Sequence, residues 1–97
     1  MSKLGNQMAK QRAKQFVSEY LSKNPCIDCG ENDINVLTFD HIRGRKRDNV
    51  ASMVAQGLSI KALALEIKKT EVVCFNCHMR REQARRGYRR FGRFWSK

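Results

Sequence analysis

Four cysteines, grouped in two C-x2-C pairs, constrain this chain more than any other feature. The pairs are Cys26-Ile-Asp-Cys29 and Cys74-Phe-Asn-Cys77, with 44 residues between them. Two residues between thiolates allow a tight turn to direct both sulfurs at one ion, and two such turns complete a tetrahedral zinc site. Gly30 supports the first turn, because glycine tolerates a positive φ. The spacing therefore predicts one structural zinc bound by all four cysteines.

Three other interpretations of the cysteines are weaker. Disulfides need an oxidising compartment, and residues 1–7 lack the apolar stretch of a signal peptide. A thioredoxin-like redox motif uses a single C-x2-C in a βαβ pattern and has no need of a second pair. Four unrelated buried cysteines would rarely form two matched pairs. We therefore expect a soluble, cytoplasmic protein that is stabilised by zinc.

The length of the chain explains why a metal is needed. A chain of 97 residues is long enough for one domain. A domain of this size buries only roughly 60–65% of the surface that its unfolded form exposes, so its core alone is marginal. No apolar run approaches the roughly 20 residues that cross a bilayer. No membrane partner is therefore expected.

The excess charge lies at the two ends of the chain. Twenty Lys and Arg residues against nine Asp and Glu give a formal net charge of +11. Residues 1–25 carry five basic and one acidic residue, residues 26–78 carry seven of each, and residues 79–97 carry eight basic and one acidic residue. This pattern indicates a chemical core with arms that bind a polyanion, most simply nucleic acid. Aromatic residues among the terminal arginines disfavour a tail that serves only solubility.

The hydrophobic pattern predicts a small α+β domain. In chain order, the predicted elements are a helix at about residues 7–23, a strand at 36–39, a helix at 49–55, a helix from 60 to 67, a strand at 71–73 and a helix from 77 to about 86. Ser59 is the predicted N-cap of the third helix, and Gly87 ends the last one. The single domain, residues 1–97, then comprises a basic N-terminal helix (1–25), a zinc-bound core (26–87) with a helical insert (49–69), and an Arg/aromatic tail (88–97).

Two histidines are the candidates for chemistry, and both lie beside the predicted zinc site. His41 follows Asp40 at the end of a predicted strand, and His78 follows Cys77 directly. The carboxylate of Asp40 and the imidazole of His78 can share a divalent ion and leave positions open for water and phosphate. His41 then remains available as a general base, because imidazole suits proton abstraction near neutral pH. Singly, each residue could be a spare zinc ligand, a cap or a turn residue; together they indicate an active site.

Two stretches around these residues resemble the HNH (ββα-metal) endonuclease motif. They are LTFDHIRG at residues 37–44 and VCFNCHMRR at residues 73–81. With its four cysteines, the chain is similar to the zinc-knuckle branch of that family, which is common in phage and bacterial genomes. The resemblance covers about residues 8–85 in general layout. It implies a zinc-stapled ββα-metal fold with an N-terminal helix and a helical insert between the two strands.

The resemblance also implies an activity, a metal-dependent hydrolysis of DNA phosphodiester bonds that nicks DNA with low sequence specificity. Asp40 and His78 would bind the catalytic ion, and His41 would be the general base. Mg²⁺ or Mn²⁺ is the expected ion, with Ni²⁺, Co²⁺ and Zn²⁺ as further candidates. Arg80 and Arg81 would face the phosphate backbone. The charge pattern adds further DNA-binding candidates, namely Arg85, Arg86, Arg89, Arg90 and Arg93.

The chain departs from the family at the middle Asn of the motif, where it has Lys69-Thr70-Glu71. In the family that Asn orients the base, and here Asn49, Asn76 or the backbone could replace it. Two other functions therefore stay open. One is a noncatalytic, zinc-bound nucleic-acid-binding protein, and the other is an accessory subunit of a phage DNA-processing or packaging assembly. A phage-encoded protein would act in the bacterial cytoplasm, and its oligomeric state is not predicted.

Overall fold

The computed structural model of the chain describes residues 3–87. The elements are α1 (Lys3–Lys23), a short 3-10 helix (Ile34–Val36), β1 (Leu37–His41), α2 (Val50–Ala55), α3 (Ile60–Ile67), β2 (Thr70–Cys74) and α4 (Phe75–Arg86). This is a small α+β domain with one two-stranded sheet, and both α2 and α3 lie between its strands in the sequence. The tail at 88–97, with the predicted DNA-binding residues Arg89, Arg90 and Arg93, lies outside the described residues.

The two strands pair antiparallel along their whole length. Leu37 lies opposite Cys74, and His41 lies opposite Thr70. Successive side chains of a strand point to opposite faces of the sheet. Asp40 and His41 therefore leave the end of β1 in opposite directions, and Asp40 shares its face with Glu71.

Two apolar clusters form the core, and α1 contributes to both. The cluster at the sheet contains Leu21, Cys26, Leu37, Val72, Val73, Cys74 and Cys77. The cluster beneath the inserted helices contains Ala13, Val50, Met53, Leu63 and Ile67. Tyr20 and Phe39 pack against both clusters, with their ring centroids 6.0 Å apart. Because three cysteines are members of the first cluster, the cysteine site is part of the core and not an appendage to it.

Local sequence signals explain most of the element boundaries. The Ser59 hydroxyl accepts a hydrogen bond from the Ala62 N–H at 3.1 Å, so Ser59 caps α3 as predicted. Gly87 ends α4 with a φ of +76°. The helix α4 starts at Phe75, two residues earlier than predicted, because the Cys74 sulfur caps it by accepting from the Cys77 N–H.

The first helix is longer than the apolar pattern predicts. It begins at Lys3 instead of about residue 7. Residues 3–6 form an additional helical turn that the apolar pattern does not indicate. No helix within residues 3–87 combines the length and the apolar character that a membrane crossing requires.

Candidate functional site

The first C-x2-C pair lies in a tight turn that is attached to the sheet. The Gly30 N–H donates to the Cys26 carbonyl at 2.8 Å, and Gly30 has the predicted positive φ, +83°. The Ile27 N–H donates to the Val72 carbonyl at 2.9 Å. This backbone bond fixes the turn on β2, two residues before Cys74.

The second pair brings its sulfurs to the same place. Cys74 is the last residue of β2, and Cys77 lies in the first turn of α4. The four sulfurs all lie within 4.8 Å of one another, and the sulfurs of Cys29 and Cys74 are 3.7 Å apart. Tetrahedral zinc with bonds of about 2.3 Å would hold its sulfurs roughly 3.8 Å apart. The cluster could therefore bind a structural metal such as zinc.

The thiols of this cluster differ in how readily they ionise. Burial raises the pKa of Cys77 to about 12, and the neighbouring thiols act in the same direction. Burial also disfavours the Cys26 thiolate, but backbone N–H donors of Cys74, Cys29 and Asp28 outweigh it and lower the pKa of Cys26 to about 6. Metals bind the thiolate, so a bound ion would replace the proton that the Cys77 thiol otherwise keeps.

A second cluster of ligand-type side chains lies between β1 and α4. Asp40 points from β1, and His78 and Glu82 lie one helical turn apart on α4. Their ligand atoms lie within 4.8 Å of one another, with His78 Nε2 and Glu82 Oε1 3.9 Å apart. Two carboxylates and an imidazole are a donor set that suits a divalent ion such as Mg²⁺ or Mn²⁺. The structure thus brings the predicted Asp40 and His78 together and adds Glu82.

Glu82 is a residue that the sequence reasoning missed. A signal for it was present, because it follows His78 by four residues on a predicted helix and so shares a helix face with it. The acidic residue is also the one negative side chain among eight basic residues in 79–97. Both features mark Glu82 as a candidate metal ligand beside His78.

Two arginines of α4 engage Asp40. Arg85 donates to both carboxylate oxygens, with Nη1 2.8 Å from Oδ1, and Arg81 Nη1 donates to Oδ2 at 2.7 Å. Asp40 is only 2% exposed, and Arg85 first, then Arg81, lowers its pKa to about 2 against the opposing effect of burial. A divalent ion at this cluster would compete with Arg85 for the Asp40 oxygens.

Arg81 also connects the two clusters. Its guanidinium bonds both oxygens of Asp28, at 2.7 and 2.8 Å, and Asp28 lies between Cys26 and Cys29 in the cysteine turn. It also lies 3.0 Å from Glu71 Oε1. The geometry of Asp40 is thereby tied to the cysteine turn.

The structure gives the predicted DNA-binding arginines of α4 several surroundings. Arg81 and Arg85 face carboxylates of the domain, as described above. Arg80 is exposed, and its Nη1 lies 3.6 Å from the Cys77 sulfur. Arg86 is exposed at the end of α4. A count of charged residues does not show that Arg81 and Arg85 form ion pairs within the domain.

His41 is held by a buried carboxylate from the inserted helix α3. Its Nε2 lies 2.9 Å from Glu66 Oε2, and Glu66 is 2% exposed. Burial would raise the pKa of Glu66, but donors led by the Arg47 backbone N–H, with Lys69 and His41, lower it to about 2. The partner of the His41 ring is thus Glu66, not one of the two asparagines considered for the missing motif position.

One cavity of about 650 Å³ joins these groups. Its lining includes Asp40, His41, His78, Glu82 and Arg85, together with Lys46 and Asn49. The three residues that the sequence singled out for chemistry therefore border a common space, although Asp40 and His41 leave β1 from opposite faces. The cavity is large enough to admit part of a ligand such as a phosphodiester segment.

No protein-family model matches this chain. Among curated proteins and among solved structures, too, a search finds no significant match.

Proposed function

We propose that this protein is a metal-dependent DNA endonuclease of the HNH type, with a structural zinc at the four cysteines. The observation that carries the proposal is one cavity that is lined both by an Asp–His–Glu donor set and by an imidazole held by a buried carboxylate. The net charge of +11 supports a polyanionic substrate. Neither feature alone would suffice, since acidic clusters and basic chains are both common.

The donor set would hold the catalytic ion through Asp40, His78 and Glu82. Such an ion, when bound, supplies positive charge against the negative charge that develops on a phosphodiester during hydrolysis. Mg²⁺ and Mn²⁺ are the first candidates because two of the three donors are carboxylates, and the imidazole also admits Ni²⁺, Co²⁺ or Zn²⁺. Arg85 could then turn from Asp40 towards a phosphate oxygen and stabilise the negative charge there.

His41 would act as the general base. Its ring takes one proton from a water molecule, and the oxygen of that water forms the new bond to phosphorus. The bond from phosphorus to the 3′ oxygen breaks and that oxygen takes a proton from solvent water, so the products carry a 5′-phosphate and a 3′-hydroxyl, as the HNH resemblance implies. His41 lines the cavity and retains one ring nitrogen outside its bond with Glu66, which is what this role requires.

A noncatalytic nucleic-acid-binding protein is the second candidate function. The observation that favours it is that Arg81 and Arg85 satisfy both oxygens of Asp40. A carboxylate neutralised in this way has less need of a metal ion. The two candidate functions predict different effects of a divalent ion on DNA. A nicking assay with and without added metal therefore separates them.

Incubation of the zinc-loaded protein with supercoiled plasmid is expected to give open-circular DNA in the presence of Mg²⁺ or Mn²⁺ and none in EDTA. Glu82→Gln should shift the metal activation to higher ion concentrations, because it removes one charged donor. Glu19→Gln, an exposed change on α1, is the matched control and should behave as wild type. Absence of nicking with Mg²⁺, Mn²⁺, Ni²⁺ and Co²⁺ would favour the noncatalytic protein instead.

Deletion of the tail after Gly87 is expected to weaken DNA binding and to flatten its salt dependence. The deletion removes Arg89, Arg90, Arg93 and Lys97. Each phosphate contact that is lost should reduce the slope of log K against log salt by about 0.9 for duplex DNA. Fluorescence anisotropy with labelled duplexes of two unrelated sequences measures the slope, and the loss should be equal for both because phosphate contacts carry no sequence information. An unchanged slope would assign the tail to a protein partner.

A further inference from the structure

The two oxygens of Glu66 have different partners. Oε1 accepts from Lys69 Nζ at 3.0 Å. Oε2 accepts from the Arg47 backbone N–H at 2.9 Å and lies 2.9 Å from His41 Nε2. Lys69 Nζ in turn donates to the Arg45 carbonyl at 2.7 Å. The carboxylate is therefore held from the loop after β1 and from the turn after α3, and it has little freedom to rotate.

The charge state of Glu66 decides which nitrogen of His41 carries the proton. With a pKa of about 2, Glu66 is ionised at neutral pH. An ionised carboxylate can only accept hydrogen bonds. His41 Nε2, 2.9 Å from Oε2, must then be the donor, and in the neutral ring the lone pair is left on Nδ1.

We propose that Glu66 is a positioning residue that fixes His41 in its Nε2–H tautomer and so presents Nδ1 as the nitrogen that takes the proton from water. The inference rests on the proposed endonuclease function for its catalytic meaning. It places on the helical insert the orienting role that the HNH resemblance assigns to an Asn. An ionised partner also stabilises the imidazolium that forms when His41 accepts a proton, which an amide would do less well.

The insert thus has a task beyond completing the core. The helix α3 buries Leu63 and Ile67 on one side, and the same helix carries Glu66 to the ring of His41. A Leu or Met at position 66 would fill the space without presenting an acceptor. Burial of an ionised carboxylate costs free energy, which the bonds with Lys69, the Arg47 N–H and His41 offset here.

Nitrogen-15 NMR on the imidazole rings tests the proposal directly. The chain has two histidines, so the labelled protein gives two ring systems, and a His78→Asn variant assigns them. The sample is zinc-loaded protein with no other divalent ion, and the pH is raised until the ring signals stop changing, so that both rings are observed in their neutral form. We expect the His41 signals of the Nε2–H form. The Nδ1–H form in wild-type protein would overturn the proposal without any variant at position 66.

Variants connect the tautomer to the reaction. Glu66→Ala should give a mixture of tautomers and lower kcat for plasmid nicking by about 10²–10⁴-fold, the range that general bases contribute, with KM for DNA unchanged. Glu66→Gln has a single acceptor oxygen for the donors of Lys69, Arg47 and His41, so it should hold the Nε2–H form less fully and recover only part of kcat. Asp48→Ala is the matched control, since its carboxylate accepts from the Asn49 N–H and Gln56 but not from His41.

The two readouts separate the positioning role from the endonuclease function. If Glu66→Ala keeps the wild-type tautomer and kcat, the positioning role is overturned and the endonuclease function is not affected. An equal loss of kcat in Asp48→Ala would also overturn it, because loosening of the insert would then suffice. A wild-type protein that holds the Nε2–H form through Glu66 but cuts no DNA would overturn the endonuclease function and, with it, the catalytic meaning of the contact.

Discussion

Replacement of His41 by alanine is expected to remove DNA cleavage and to leave zinc content, folding and DNA binding as they are. Cleavage should fall by about 10²–10⁴-fold, which is the usual contribution of a general base. Folding should survive because Glu66 keeps the Arg47 N–H and Lys69 as partners when the imidazole is removed. DNA binding should survive because the proposed DNA contacts are made by basic side chains, which this substitution leaves in place. Single-turnover nicking of supercoiled plasmid gives the rate.

His78→Ala is the informative comparison for this prediction. It removes a proposed ligand of the catalytic ion, so its nicking rate should recover as the Mg²⁺ or Mn²⁺ concentration rises. His41→Ala should show no such recovery, because no ion replaces a lost base. Zinc content by elemental analysis and duplex binding by anisotropy establish that both variants are otherwise intact. Cleavage by His41→Ala at the wild-type rate would remove His41 from the role of base.

Local sequence signals predict most of the fold of residues 3–87. The helix cap at Ser59, the stop at Gly87 and the turn at Gly30 are properties of one or two residues and their neighbours, and all three are found. The C-x2-C spacing is equally local, since each pair needs only a tight turn. The start of α4 differs because Cys74 caps the helix with its sulfur, a role that cap preferences reserve for hydroxyl, carboxyl and amide side chains.

The environment of the candidate site depends on contacts that no local pattern contains. Glu66 reaches His41 across 25 residues, and Arg85 reaches Asp40 across 45 residues. Both contacts require the strand register and the packing of α3 and α4 to be known first. The sequence therefore predicts Asp40, His41 and His78 as candidates, but it predicts Arg81 and Arg85 only as DNA-binding residues and not as partners of Asp40.

Removal of the metal from the cysteine cluster is expected to unfold the domain. Structural zinc contributes about 10–16 kcal/mol to small zinc-binding peptides, whereas a domain of this size has a total stability of roughly 5–15 kcal/mol. Cys77→Ser removes one buried ligand from a core cluster that also contains Cys26 and Cys74. The variant should bind no zinc and show no cooperative thermal transition by circular dichroism. The wild-type protein treated with a strong zinc chelator should behave in the same way.

Ile27→Ala is the matched control, because Ile27 lies between Cys26 and Cys29 but is 61% exposed and supplies no ligand atom. It should retain one zinc per chain and a melting transition close to wild type. A metal-free Cys77→Ser protein with the wild-type transition would show that the apolar clusters suffice without the ion.

Unfolding confined to the cysteine turn would release Asp28 from Arg81, and the same guanidinium bonds Asp40. Zinc loss should therefore disturb the proposed catalytic cluster even where the rest of the core persists.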